Sequence, residues 1–306
     1  MAREPYAAQV ALLVRLLPFI EKEPVFALKG GTAINLFYRD MPRLSVDIDL
    51  TYLPVRDRAE SLTDIDETMN RIMAAASGGI KGLDAQRIAG GGGGATRIRA
   101  RLDGAEVKIE TSPVTRGVVH DPETRSVSAA VEDEFGFASI QVVSFEDLFG
   151  GKLHAAVDRQ HPRDLFDVRQ LYENEGLTDA LFRTFFVYIA SSNRPVQELI
   201  KPNLLPLDEP FAREFVGMTA SPVTIEQLAA TRDKLLADIS ARLDDTTRKF
   251  LVDLHDGVPD FESIGLPQAA NLPAVGWKLF NLRKLLAENP KKHAEQKAEL
   301  LAKLSA

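Results

Sequence analysis

The sequence predicts an α+β protein: a mixed sheet with flanking helices over residues 1–145, then a mostly α-helical domain over residues 146–306. Two observations predict the architecture, and a third permits it. Up to about residue 145 short alternating segments are interleaved with helical ones, whereas beyond it almost every segment has helical spacing of apolar residues. The 306 residues, 45% hydrophobic and 26% charged, suffice for two cores of ordinary size.

The opening MAREPYAAQVALLVRLLPFIEKE is apolar but interrupted by Arg15, Pro18 and Glu21, and no small-residue cleavage site follows; it reads as an amphipathic helix. VFALKGG reads as a short strand running into a glycine turn, and TAINLFYR has helical spacing. In LSVDIDLTYL, Val46, Ile48 and Leu50 point one way while Ser45, Asp47, Asp49 and Thr51 point the other, the pattern of a half-buried strand. Arg58 to Ala76 forms an amphipathic helix. TRIRARL and AEVKIETS follow as a strand pair joined at Asp103 and Gly104. The glycine run from Gly90 to Gly94 reads as a flexible hairpin or loop, since it lacks the spacing of a phosphate loop and no Lys-Ser/Thr follows. From Phe145 the segments FEDLFGGKLHAAV, RDLFDVRQLYENEG, LTDALFRTFFVYIAS and TIEQLAATRDKLLADISARLDDTTRKFLVDLHDG are helical patterns.

Composition narrows the chemistry. With no cysteine, disulfides, thiolate zinc sites and cysteine nucleophiles are excluded, and a reducing cytoplasm is the expected location. No segment reaches the roughly 18 uninterrupted apolar residues of a membrane span, so no membrane partner is expected. A formal net charge of −7 argues against a generally basic, nucleic-acid-gripping surface. The last stretch, NPKKHAEQKAELLAKLSA, places Lys291, Lys292, Lys297 and Lys303 on an end helix; a solvated face is the simpler reading, attraction of a phosphate backbone the sharper one.

The chemistry concentrates in GGTAINLFYRDMPRLSVDIDL. At i and i+2 of one strand, the Asp47 and Asp49 carboxylates leave the same face about 7 Å apart at the backbone, close enough to share metal. Magnesium takes oxygen ligands and keeps water and substrate phosphate in its shell, so two or three carboxylates suffice; manganese could stand in for it. Glu110, alternating with Val107 and Ile109 in AEVKIETS, supplies a third carboxylate on a neighbouring strand. Gly30, Gly31 and Thr32 open a helix, where bare backbone N–H groups favour phosphate; the Thr32 hydroxyl is expected to hydrogen-bond the triphosphate, and Ser45, on the polar face of the metal strand, is a second nucleotide-binding candidate. Alone, DxD is most often exposed charge and GGT a turn and cap; strand, GGT turn, helix and DxD strand in sequence point to nucleotide chemistry.

KGGTAINL, RLSVDIDL, KIE and the downstream GGKLHAAVDRQHPRDLFDV together resemble the nucleotidyltransferase superfamily with a DNA polymerase beta-like fold. Within it they resemble the AbiEii/AbiGii toxins of type IV toxin–antitoxin systems, which include the MenT toxins. The resemblance spans roughly residues 25 to 171. It implies an enzyme that takes an NTP substrate, uses tRNA as acceptor and is neutralised by a cognate antitoxin protein. It further implies that Lys152 contacts nucleotide phosphate and that Asp164 acts as a catalytic or positioning carboxylate, with Asp167, three residues on along the same helix face, as its rival. Arg163 adjoins them as a further phosphate contact. The residues themselves agree for Lys152, a point charge in a Gly-Gly-Lys context and a common phosphate partner, with a surface ion-pairing lysine as the plainer alternative; for Asp164 a helix cap after Pro162 fits equally well. His154 and His161, without metal-ligand spacing, read as packing or solvent-facing.

Two other functions fit the motifs: nucleotide transfer to a small molecule or protein, and a noncatalytic NTP-binding interaction module. The first predicts a closed acidic pocket, and the second predicts activity independent of the carboxylates.

Overall fold

A seven-stranded mixed sheet organises the first half of the chain in the computed structural model, which describes residues 4–88 and 96–305. The glycine run at 90–94 lies outside the described residues. Helix α1 (Glu4–Glu21) buries Val10, Leu13, Leu17 and Ile20, recurring every three to four residues as the sequence pattern requires. Strand β1 (Phe26–Lys29) ends at Gly30, whose φ of 74° suits glycine, and the chain turns at once into α2 (Gly30–Ala33). The predicted helical run then widens to π geometry over Ile34–Tyr38.

Strand β2 (Asp47–Tyr52) buries Ile48 and Leu50 and leaves Asp47 and Asp49 half-buried, the predicted alternation, although Thr51 on the polar side is buried as well. Helix α3 (Arg58–Gly79) starts where the Asp57 carboxylate accepts the Glu60 N–H. After it come β3 (Asp84–Ile88), β4 (Arg97–Leu102) and β5 (Ala105–Thr111). The predicted turn between β4 and β5 is present, with positive φ at both Asp103 (48°) and Gly104 (85°), the conformation that a two-residue hairpin demands. Then follow β6 (Glu123–Ser126), α4 (Ala129–Phe135) and β7 (Ser139–Val142). The strand order is β3-β4-β5-β2-β1-β7-β6; β2–β5 and β1–β7 are parallel and the other neighbours antiparallel.

The chain forms two compact units, residues 1–144 with 217–222, and residues 145–216 with 223–306. Nothing in the sequence points to the excursion at 217–222, which is held by backbone hydrogen bonds: Leu44 N–H donates to the Met218 carbonyl and Ala220 N–H to the Pro42 carbonyl, both at 2.8 Å. It therefore braces the lead-in to β2.

The second unit is helical: α5 (Phe145–Asp158), α6 (Pro162–Asn174), α7 (Asp179–Ala190), α8 (Val196–Ile200), α9 (Asp208–Glu214), α10 (Ile225–Arg242), α11 (Asp245–His255), α12 (Pro273–Glu288) and α13 (Pro290–Ser305). The long pattern after Thr224 breaks into α10 and α11 because Asp244 accepts the Thr247 N–H and restarts a helix with a reciprocal capping box. Its core is aromatic: Phe182, Phe185 and Phe186 are in mutual ring contact, and Phe250 packs on Phe186. Helices α5 and α7 approach closely because Gly150 and Gly151 face Tyr188; a Cβ on Gly150 would lie 3.1 Å from its ring. Packing thus accounts for the Gly-Gly before Lys152. Among the described residues no helix is long and apolar enough to cross a membrane.

Candidate active site

Strand register brings together what the sequence separates. Lys29 on β1 pairs with Asp49 on β2, Asp49 with Glu110 on β5, and Glu110 with Arg97 on β4, so one row across four adjacent strands reads Lys29, Asp49, Glu110, Arg97. A cavity of about 260 Å³ opens over this row, lined also by Thr96, Thr111 and Ser112. Arg97 Nε lies 3.2 Å from Glu110 Oε1. Burial pushes the Glu110 carboxyl above its ordinary range; Arg97 opposes that, while Asp49 and Asp47 reinforce it by repulsion. Burial likewise draws the Lys29 ammonium below the usual lysine value, against the pull of Asp49.

The glycine turn is built around these carboxylates. A Cβ on Gly30 would sit 2.6 Å from Asp49 Oδ2, and one on Gly31 would meet Arg43 Nη2 at 2.6 Å and Ser45 Oγ at 2.9 Å. The Thr32 hydroxyl donates to the Asp47 carbonyl at 2.5 Å and shares a 3.0 Å hydrogen bond with Ser45. With only 1% of its surface exposed, Thr32 welds the turn to β2. Asn35 completes the joint, donating from Nδ2 to the Gly31 carbonyl at 2.8 Å and accepting the Arg43 N–H at 3.3 Å. Asp47 and Asp49 on one strand face suit a hard divalent cation by donor type. Glu110 is already ion-paired with Arg97, and among the described residues no three His, Cys, Asp or Glu side chains close around one point.

The second unit holds a different cluster. Lys152 Nζ lies 2.8 Å from Asp164 Oδ1 and 2.9 Å from Asp167 Oδ2, and Arg159 adds two hydrogen bonds to Asp164, at 2.6 and 3.0 Å. Lys152 is 7% exposed and both aspartates 1%. Burial alone would raise the Asp164 pKa, but Lys152 and Arg159 outweigh it and hold the carboxyl well below the usual carboxylate range.

The sequence profile of the nucleotidyl transferase AbiEii toxin of type IV toxin–antitoxin systems matches residues 11–280 of the chain. The chain belongs to this family. It is therefore a nucleotidyltransferase, of a family whose members take NTP substrates and are paired with antitoxins. Its fold is that of MenT4, a nucleotidyltransferase toxin from Mycobacterium tuberculosis H37Rv, at a TM-score of 0.63 and 15% identity over 92% of this chain and 94% of that one. A search of curated protein sequences finds no match.

In this AbiEii chain Gly30, Gly31, Thr32, Ser45, Asp47, Asp49 and Glu110 all lie at the β1–β2–β5 end of the sheet, and Lys152, Asp164 and Asp167 meet in the second unit. Lys152 is buried rather than a surface lysine. The cap of α6 is His161, whose Nδ1 accepts the Arg163 N–H at 3.1 Å, and this leaves Asp164 two residues inside the helix. His161 is half-buried, and its Nε2 contacts the exposed Glu214, as does Arg163 at 3.5 Å. His154 is half-buried, its Nε2 shielded and without a hydrogen-bond partner among the described residues. Lys29, Asn35, Arg43 and Arg97 were not singled out by sequence. For Lys29 and Arg43 the available signal is position, directly before the glycine pair and two residues before Ser45. For Arg97 the signal is only its strand parity opposite Glu110.

Proposed function

We propose that the protein acts in the cytoplasm as a toxin that transfers NMP from an NTP to an RNA acceptor, the 3′ end of tRNA, and so blocks translation. Asp47 and Asp49 would hold magnesium, or manganese in its place; such an ion, when bound, supplies positive charge to the triphosphate and the departing pyrophosphate. The observation that carries this reading is the Lys29–Asp49–Glu110–Arg97 row lying against Gly30. Two mutually repelling carboxylate positions flanked by two cations suit a ligand that brings both metal and phosphate.

In the reaction the acceptor 3′-oxygen bonds to the α-phosphorus, the bond to the bridging oxygen breaks and pyrophosphate leaves. Glu110, whose carboxyl is raised above its ordinary range by burial, takes up the hydroxyl proton or completes the ligand set. Lys29 and Arg97 attract the triphosphate, the side-chain-free backbone at Gly30 and Gly31 lets it approach, and Thr32 and Ser45 keep the turn in place. As part of this proposal Lys152 keeps the phosphate contact, and Asp164 the positioning role, that the resemblance implies.

The test is incubation of the protein with magnesium, total bacterial tRNA and each α-labelled NTP in turn, beside an Asp47→Asn/Asp49→Asn double variant. Label on tRNA with the wild type alone is the expected outcome. Label on neither would discard tRNA as acceptor and turn the search to small molecules or proteins.

A further inference from the structure

Residues 273–305, which make α12 and α13, carry seven lysines and arginines against three glutamates in a chain of formal net charge −7. Three of the cations are spent inside the fold. Lys278 is buried and donates to the Arg194 carbonyl, Lys297 pairs with Asp256, and Lys303 bonds the Gln197 and Lys201 carbonyls and pairs with Glu299. Arg283, Lys284, Lys291 and Lys292 are exposed, Lys284 in a loose surface pair with Glu288 at 3.9 Å.

On the same helix as Arg283 and Lys284, α12 exposes two aromatic rings. Trp277 and Phe280 are 51% and 57% exposed, their centroids are 5.7 Å apart and their planes lie 19° from parallel. The spacing 277, 280, 284 puts both rings and Lys284 on one helix face, while Val275, Lys278 and Leu282 on the opposite side are buried and anchor it. An open hollow of about 530 Å³ is lined by Gly276, Phe280, Arg283, Lys284 and Glu288. Arg283 Nε and Nη2 both donate to the Gly257 carbonyl, at 2.9 and 2.7 Å, so the guanidinium is held in place at the rim.

We propose that this face binds an unpaired stretch of RNA, with bases stacking on Trp277 and Phe280 and phosphates meeting Arg283, Lys284, Lys291 and Lys292. The inference rests on the RNA-acceptor reading above and names the surface of the second unit that takes the strand. Parallel rings with cations on their flank are the two components of a single-strand platform: every base has a π-face to stack, and the backbone supplies the negative charge. The local excess of cations, on an otherwise acidic chain, favours a polyanion over an apolar protein segment.

Trp277 is the single tryptophan, so the intrinsic fluorescence of the full chain reports on this face. Titration with a single-stranded RNA of about 12 nucleotides, and separately with tRNA, is expected to quench it, with binding that weakens as salt rises. Followed by anisotropy of end-labelled RNA, Phe280→Ala should weaken binding about fivefold or more, and Lys291→Glu/Lys292→Glu should flatten the salt dependence. An unchanged Trp277 emission while labelled RNA is bound would overturn the proposal, as would a Trp277→Ala/Phe280→Ala variant that binds RNA as tightly as the wild type. Emission that responds to purified antitoxin and not to RNA would likewise overturn it. The Asp47→Asn/Asp49→Asn variant should be quenched like the wild type. Label transfer to tRNA with a silent Trp277 sinks the platform and leaves the acceptor reading standing; quenching by RNA without transfer does the reverse.

Discussion

The two units treat the same side-chain chemistry in opposite ways. On the sheet, Asp47, Asp49 and Glu110 sit half-exposed, and the Glu110 carboxyl is raised first by burial and further by repulsion from Asp49 and Asp47. In the helical unit, Asp164 and Asp167 are almost wholly buried, yet Asp164 is held far below the ordinary range because Lys152 and Arg159 neutralise it. The contrast teaches that carboxylate clusters are distinguished by where the compensating charge comes from. One draws it almost wholly from its own chain; the other has Arg97 beside Glu110 and, on the proposed function, draws the rest from a ligand.

Lys152→Ala should break that contrast most severely. It removes the lysine that two buried carboxylates share, leaving Asp164 to Arg159, and is expected to cost about 3–5 kcal/mol of stability, read from denaturant unfolding at neutral pH. A loss under about 1 kcal/mol would mean that water reaches the cluster and that the burial argument is wrong.

Acid should act on the same cluster next. Because the folded-state pKa of Asp164 is depressed, its contribution is fully present above the ordinary carboxylate value, about 4, and is lost as pH falls from there through the folded value. Unfolding curves from neutral to acid pH should show this decline in the wild type and a shallower one in Asp164→Asn, which starts from a lower stability at neutral pH.

Gly30→Ala sharpens the sheet side. At φ 74°, with a Cβ 2.6 Å from Asp49 Oδ2, alanine is expected to cost about 1–2 kcal/mol and to displace the carboxylate. Transfer activity should fall more than the melting temperature suggests. The smallest effect on stability belongs to Asp49→Asn, which relieves repulsion with Glu110: the melting temperature should hold or rise while nucleotide transfer is lost. A variant that instead unfolds more readily would show that the Lys29–Asp49 pairing supports the fold.

Much of the sheet was legible because its signals are local. Ile48 and Leu50 alternating with Asp47 and Asp49 set which face of β2 is buried, and Asp103–Gly104 between two alternating runs specified a two-residue hairpin. Gly150 and Gly151 were legible only as a context for Lys152, whereas the structure shows them admitting Tyr188, a residue on another helix that no local pattern identifies. The His161 cap was missed because histidine seldom takes that position, and its ring nitrogen becomes the acceptor only once the backbone has turned at Pro162.

By itself the sequence determined the alternation that puts Asp47 and Asp49 on one face, the glycines where the backbone must turn, and the motif set that places the chain in its family. Tertiary structure alone decided which charges meet: Lys29 and Arg97 at the two ends of the carboxylate row, and Lys152 enclosed between Asp164 and Asp167. The reason is that side-chain parity repeats within a single strand or helix and can be read along the chain. Strand register and helix packing are set by contacts between residues distant in sequence, and those contacts determine where the charges come together.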